Sequence, residues 1–133
     1  MIVKSETLEI NNSGDIVKAR QAVRSLSIEL GFSLVNQTKF VTAASELARN
    51  TFIYGGGGAV TLEMVNDGMR SGLRLVFRDN GPGIADIEQA MKDGFTTGTG
   101  LGLGLGGARR LVNEFGIASE PGKGTLVTVT RWK

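Results

Sequence analysis

An aspartate at the end of a predicted strand is the first candidate for chemistry. The run Leu73–Asp79 predicts a strand, and its odd-numbered side chains, three large apolar ones and Asp79, share one face because strand side chains alternate. A carboxylate among apolar residues needs a hydrogen-bond donor or becomes neutral. Two interpretations stay open: Asp79 meets a donor on a ligand, or it has turned into solvent or caps the following turn, Asn80–Gly83.

Glu46 and Asn50 form a second candidate pair. They stand four residues apart in a predicted helix, so their side chains lie on one face. A carboxylate and an amide oxygen can together hold a hard cation and its waters. An ordinary solvated helix surface shows the same spacing, so this pair alone is weak evidence for a site.

The glycine-rich run Thr97–Gly107 is the third candidate, because it precedes a predicted helix. Backbone N–H groups at such a helix start suit a phosphate group, and a flexible surface loop is the alternative. The segment Gly102–Gly107 matches G-x-G-x-x-G, but no strand precedes it, so a dinucleotide-binding βαβ unit is not predicted. A P-loop is also absent, since Gly122-Lys123 is followed by Gly124.

Composition narrows the possible chemistry. The chain has 133 residues, no cysteine and no histidine, which excludes disulfides, thiolate and imidazole metal sites, and a Ser–His–Asp triad. A net charge of +2 without a dense basic run does not favour nucleic acid. No apolar run is long enough to span a bilayer, and no signal peptide is recognisable, so we expect a cytoplasmic protein without a membrane partner.

The hydrophobic periodicity of the sequence, interrupted by glycines, predicts the helices and strands that position these residues. Together they predict one domain over residues 1–133: an α/β (two-layer α+β) sandwich with a mixed, mostly antiparallel sheet and helices on one face. The predicted strands are Val3–Ile10, Ala59–Val65, Leu73–Asp79, Ile117–Ser119 and Thr125–Trp132. The predicted helices are Asp15–Leu30, Asn36–Tyr54 with Asn36 as N-cap, a short one within Ile84–Met91, and Leu103–Phe115, with a loop over Gly94–Gly102.

Four motifs in order resemble the GHKL ATPase/kinase superfamily, which has the Bergerat ATP-binding fold and includes gyrase B, Hsp90, histidine kinases and MutL. They match its N box, G1 box, G2 box and terminal Gly-Thr, and they span almost the whole chain. The matching segments are Glu46–Asn50, Asp79–Ile84, Thr99–Gly104 and Gly124-Thr125.

The resemblance implies ATP and Mg²⁺ as cofactors. It makes Glu46 the general base or the group that orients the attacking hydroxyl, Asn50 the Mg²⁺ ligand, and Asp79, aided by Thr125, the acceptor for the adenine amino group. Thr97–Gly107 becomes the ATP lid. The ATP-binding residues so implied are Asn50, Asp79, Gly81, Gly83, Ile84, Thr97, Gly98, Thr99, Gly100, Leu101, Gly102, Leu103, Gly104 and Thr125.

One position departs from the pattern. Many members carry Lys or His three residues after the N-box asparagine, where this chain has Ile53. Charge neutralisation at the phosphates then falls to Mg²⁺, to lid amides or to an arginine, with Arg49 and Arg109 as candidates.

Within the superfamily, the chain is similar to stand-alone serine/threonine kinases, in particular the switch kinases of the stressosome. That resemblance implies phosphorylation of a STAS-domain antagonist or scaffold protein, followed by binding and activation of a PP2C-type phosphatase by the released kinase. An anti-sigma factor with serine kinase activity toward an anti-anti-sigma factor is the alternative. The segments that carry this resemblance are Asp15–Gln21, Glu29–Phe32, Ser45–Asn50, Asp93–Thr97 and Arg110–Phe115.

Overall fold

The structure, a computed structural model, describes residues 1–92 and 104–133. The predicted loop over Gly94–Gly102, and the lid positions Thr97, Gly98, Thr99, Gly100, Leu101, Gly102 and Leu103, lie outside the described residues. In chain order the elements are β1 (Ile2–Ile10), α1 (Ser13–Leu30), α2 (Leu34–Ile53), β2 (Gly58–Asn66), β3 (Ser71–Asp79), α3 (Ile87–Ala90), α4 (Leu105–Arg110), β4 (Glu114–Ser119) and β5 (Thr125–Trp132).

The five strands form one sheet in the order β1-β2-β3-β5-β4. The predicted α/β class with a largely antiparallel sheet is confirmed, and every strand pair in the described part of the chain is antiparallel. At one end of the sheet, Asp79 pairs with Gly58 on one side and with Thr125 on the other. Because β3 is the central strand, Asp79 lies at the end of the central strand, with a neighbouring strand on each side.

The long helices α1 and α2 pack together and cover one face of the sheet. The alternation that the sequence predicted in β3 is present, because Leu73, Leu75 and Phe77 are all buried against the helices. Phe40 and Leu47 of α2 are the largest helical side chains in this core. Asp79, next on the same face, therefore lies where the core opens at the end of the sheet.

The first turn of α2 begins earlier than the sequence predicted. Its N-cap is Ser33, whose hydroxyl accepts the Asn36 N–H at 3.1 Å, so the prediction of Asn36 as N-cap was wrong. The Asn36 side chain is used elsewhere, since its Oδ1 accepts a hydrogen bond from Arg131 at 2.7 Å.

The predicted helix Leu103–Phe115 is shorter than expected. Helix α4 ends at Arg110, and Phe115 belongs to β4 instead. Arg131 explains this end, because its guanidinium donates to the Leu111 carbonyl at 2.9 Å and satisfies a group that a longer helix would bond internally. Asn113 then joins the sheet by accepting the Trp132 N–H at 2.7 Å.

The β2–β3 hairpin turns at the opposite end of the sheet from Asp79. Asp67 accepts the backbone N–H groups of Met69 and Arg70, at 3.0 and 2.8 Å. These two donors, the Met69 N–H first, hold the pKa of Asp67 below its ordinary value. Within residues 1–92 and 104–133, no helix combines the length and apolar character needed to cross a membrane.

We expect Arg131→Met to lower the free energy of unfolding by about 1–3 kcal/mol, because the Leu111 carbonyl and Asn36 Oδ1 both lose their donor. Urea unfolding measures this. Arg78→Met is the matched control: Arg78 is exposed at the end of β3, and its loss should change stability by about 0.5 kcal/mol or less. Equal effects of the two variants would show that the Arg131 bridge contributes nothing.

Candidate active site

A cavity of about 410 Å³ opens at the Asp79 end of the sheet. Its walls come from α2, from the ends of β3 and β5, from the turn after β3, from α3 and from the first residue of α4. The volume lies in the range of small-molecule sites. The residues lining it are Leu47, Asn50, Thr51, Tyr54, Gly55, Phe77, Asp79, Pro82, Gly83, Ile84, Ala85, Asp86, Gln89, Leu105, Thr125 and Val127.

Asp79 is half-buried in the cavity wall, and it also caps the turn that follows it. Its Oδ1 accepts the Gly81 N–H at 2.9 Å. The two interpretations left open by the sequence are therefore compatible: one oxygen fixes the turn while the side chain still lines the cavity beside Phe77 and Val127. A carboxylate in apolar walls is well suited to receive N–H donors from a ligand.

Glycines make the room that this carboxylate needs. A Cβ atom on Gly55, just after α2, would lie 2.6 Å from both Cβ and Oδ2 of Asp79. Gly81 lies against the same stretch of backbone, where its Cβ would come within 2.7 Å of the Gly55 Cα. Gly124 has φ +79° and would collide with the Asp79 carbonyl if it carried a side chain. The sequence indicated only that Gly55–Gly58 ends a helix, and its role in seating Asp79 was not predicted.

Ser119 connects three parts of the cavity wall, and the sequence did not single it out. Its hydroxyl accepts the Ile84 N–H at 2.8 Å, contacts the Gly124 carbonyl at 3.0 Å and contacts the Thr125 hydroxyl at 2.8 Å. When Ser119 donates to the Gly124 carbonyl, its single proton is used, so Thr125 is the donor between the two hydroxyls. The Thr125 oxygen then offers acceptor capacity next to Asp79. Pairing across the Pro121–Gly122 turn is the signal that could have found Ser119.

One stripe of α2 forms the cavity wall opposite the sheet. Leu47, Asn50, Thr51 and Tyr54 follow the spacing of a single helical face, and all four line the cavity. Leu47 and Thr51 are buried, whereas Asn50 and Tyr54 are half-buried. Asn50, the predicted Mg²⁺ ligand, thus lies in the cavity wall.

Glu46 lies one turn before Asn50, at the junction of α2 with α4. A Cβ atom on Gly104 would be 2.5 Å from Glu46 Oε2, and Gly104 has φ +69° as the N-cap of α4. Arg49 lies 3.5 Å from Glu46 Oε1, with half of its side chain exposed. The Glu46 carboxylate is therefore held against the backbone that leads out of the glycine-rich run.

The remaining predicted residues are only partly brought together. Gly83 and Ile84 line the cavity, while Gly81 supports it from behind. Neither phosphate candidate lines it: Arg49 stays beside Glu46, and Arg109 faces a separate groove. Ile53, where other superfamily members carry Lys or His, is 46% exposed.

Magnesium, if bound here, would depend on few protein ligands. Residues 1–92 and 104–133 contain no group of three or more acidic side chains that could form a metal site. The amide of Asn50 fits Mg²⁺, because this ion commonly keeps its waters and uses one or two protein oxygens together with substrate phosphates. The donor set therefore suits a metal that arrives with a nucleotide.

The geometry thus combines an apolar slot with a carboxylate at its end, an amide on the neighbouring helix and a second carboxylate at a helix junction. An apolar slot that ends in a carboxylate suits a ligand with an apolar ring and an N–H donor.

The chain is similar to known proteins of one family. Residues 35–133 match the family model described as histidine kinase-, DNA gyrase B-, and HSP90-like ATPase. The serine/threonine-protein kinase RsbT of Bacillus subtilis is 46% identical over 125 residues, which cover 94% of each chain. An anti-sigma F factor of Thermoanaerobacter sp. (strain X514) is 32% identical over 120 residues, 86% of this chain and 82% of that one.

A solved structure shows the same fold. The RsbU and RsbW domains of Rv1364c from Mycobacterium tuberculosis align with a TM-score of 0.64 at 23% identity, over 96% of this chain and 32% of that longer one. The family match covers most of the chain, and the similarity to RsbT covers nearly all of it. The chain therefore belongs to the histidine kinase-, DNA gyrase B- and HSP90-like ATPase family, among its serine/threonine-protein kinases.

Proposed function

We propose that this chain transfers the γ-phosphate of ATP to a serine or threonine of a STAS-domain protein, as part of a bacterial partner switch. The observation that carries the proposal is the pairing of two carboxylates with different surroundings. Asp79 lies in an apolar cavity wall, and Glu46 lies at the α2–α4 junction one turn from Asn50. Asp79 suits recognition of the nucleobase, and Glu46 suits proton transfer.

Adenine fits the Asp79 end of the cavity. Its exocyclic amino group would donate to the free acceptor positions of Asp79 and Thr125, while its ring would lie among apolar side chains such as Ile84 and Val127. Guanine has a carbonyl oxygen at the equivalent position, and two acceptors facing each other would repel. ATP is therefore the nucleotide that the site favours.

The phosphates would extend from the adenine slot toward the junction of α2 with α4. Asn50 would hold Mg²⁺, which neutralises phosphate charge when it is bound, and the glycine-rich lid would supply backbone N–H donors. Arg49 and Arg109 remain the candidates for a side-chain cation. Arg49 lies beside Glu46 on α2, whereas Arg109 lines the separate groove.

Glu46 would act as the general base. It would accept the proton of the acceptor hydroxyl as that oxygen bonds to the γ-phosphorus, and the bond from the γ-phosphorus to the bridging oxygen would break to release ADP. Gly104 leaves room for the carboxylate, because a Cβ atom at that position would lie 2.5 Å from Glu46 Oε2.

RsbT is a serine/threonine-protein kinase by name, which supports a protein substrate. From the resemblance to stressosome switch kinases we propose a STAS-domain substrate, a PP2C-type phosphatase activated by the released kinase, and a cytoplasmic location. The anti-sigma F factors, at 32% identity, favour a second candidate: an anti-sigma factor that phosphorylates its anti-anti-sigma factor. Recovery of a sigma factor and no phosphatase in partner capture would favour the second candidate.

Glu46→Gln should reduce the rate of phosphate transfer about 100-fold or more, because a neutral amide cannot take the hydroxyl proton. The affinity for ATP should change by less than about threefold, since Gln keeps the shape beside Gly104. Transfer from labelled ATP to the STAS protein, with Mg²⁺, measures the rate. Glu29→Gln, an exposed position on α1, is the control. Transfer by Glu46→Gln at the control's rate would contradict the assigned role.

Asp79→Asn should weaken ATP binding about tenfold or more and shrink the preference for ATP over GTP. Asn retains an acceptor for the Gly81 N–H, but its NH₂ group would oppose the adenine amino group and suit the guanine oxygen. Titrations of the same variant with ATP and with GTP provide an internal control. Parallel losses for both nucleotides would indicate general damage to the site rather than base recognition.

Gly55→Ala should also weaken ATP binding about tenfold or more, since its Cβ would displace the Asp79 carboxylate. Gly116→Ala is the matched control, because a Cβ at that exposed β4 position would meet only the Thr128 carbonyl at 4.0 Å. Calorimetric titration with ATP, after thermal unfolding confirms that both variants fold, gives the comparison. An unchanged affinity for ATP in Gly55→Ala would show that the position of the Asp79 carboxylate does not matter for nucleotide binding.

A further inference from the structure

A second depression, of about 590 Å³, lies between α3, α4 and the edge strand β4. We call it the basic groove. Its floor is apolar and its rim is charged, a combination suited to a peptide rather than to a small ion. The floor residues are Ile87, Met91, Phe115 and Ile117, and the rim residues are Glu88, Lys92, Arg109 and Arg110.

The two short helices separate this groove from the active-site cavity. On α3, Gln89 lines the cavity while Met91, just after the helix, lines the groove. On α4, Leu105 lines the cavity while Arg109 lines the groove. A chain lying in the groove would therefore pass on the far side of α3 and α4 from the cavity.

The charge of the rim specifies the occupant. Lys92, Arg109 and Arg110 are exposed cations, and Glu88 is the single acidic residue among the described lining residues. No ion pair with a described residue is seen for Lys92 or Arg109. Such a rim attracts acidic side chains and repels basic ones.

The strand edge specifies the shape of the occupant. β4 is the last strand of the sheet, and among the described residues no further strand pairs with its outer side. Its residues Glu114, Gly116 and Ala118 are exposed, whereas Phe115 and Ile117 form part of the groove floor. An open edge beside an apolar floor is the arrangement that accepts an extended segment through backbone hydrogen bonds.

We propose that the basic groove is the docking site for an acidic, extended segment of the protein that accepts the phosphate. This inference rests on the proposed kinase function and adds to it a surface that selects the substrate. Docking here raises the effective concentration of the acceptor hydroxyl at Glu46 without any contribution to the chemical step. The groove therefore determines the KM for the protein substrate and leaves kcat and the KM for ATP unaffected.

The test is a charge series at exposed rim positions, measured by phosphate transfer to the STAS protein. Lys92→Glu should raise the KM for the STAS protein about fivefold or more, and Glu88→Lys should lower it. Lys18→Glu, an exposed position on α1, makes the same change in net charge and should have no effect. The effect of Lys92→Glu should shrink as salt increases, because exposed charges are screened.

Three outcomes would overturn the inference. They are an unchanged KM in both groove variants, a fall in kcat alone, and a rise in the KM for ATP, which would assign the cations to the nucleotide. If the wild-type chain transfers no phosphate, the proposed kinase function fails, and binding of the fluorescently labelled STAS protein then tests the groove directly. A weaker complex with Lys92→Glu and a tighter one with Glu88→Lys would support the groove, and equal affinities would reject it.

Discussion

The half-buried carboxylate of Asp79 is the constraint on which the rest of the site depends. Its apolar neighbours in β3 are buried in the core, which fixes the backbone position of Asp79 at the cavity. Its own turn supplies one donor, the Gly81 N–H. Gly55 and Gly124 leave room for it, because a Cβ atom on either would collide with Asp79. The carboxylate can therefore accept a donor group from a ligand without a prior rearrangement, so it is preorganised for binding.

The contact between Glu46 and Gly104 gives the site its second fixed point. It joins the helix that carries Asn50 to the helix that follows the glycine-rich run. At the other end of α4, Arg131 joins Leu111 to the first turn of α2. Both ends of the short helix are thereby tied to the same long helix, so a six-residue segment with little stability of its own acquires a defined position.

The sequence predicted the parts of the fold that depend on local periodicity. The strand alternation before Asp79 and the antiparallel sheet both follow from spacing. The early end of α4 and the N-cap at Ser33 were not predicted, because both involve a long-range contact. Arg131 donates to Leu111 at the end of α4 and to Asn36 in the first turn of α2, and Arg131 and Asn36 are 95 residues apart in sequence. Ser119 was missed because its partner Ile84 N–H lies 35 residues away in sequence.

The most direct test is phosphate transfer from labelled ATP, with Mg²⁺, to the STAS-domain proteins of the same organism, followed by mapping of the labelled residue. The account predicts label on one serine or threonine of one partner and none without that partner. ATP bound by the chain, with no label on any of these proteins, would contradict it.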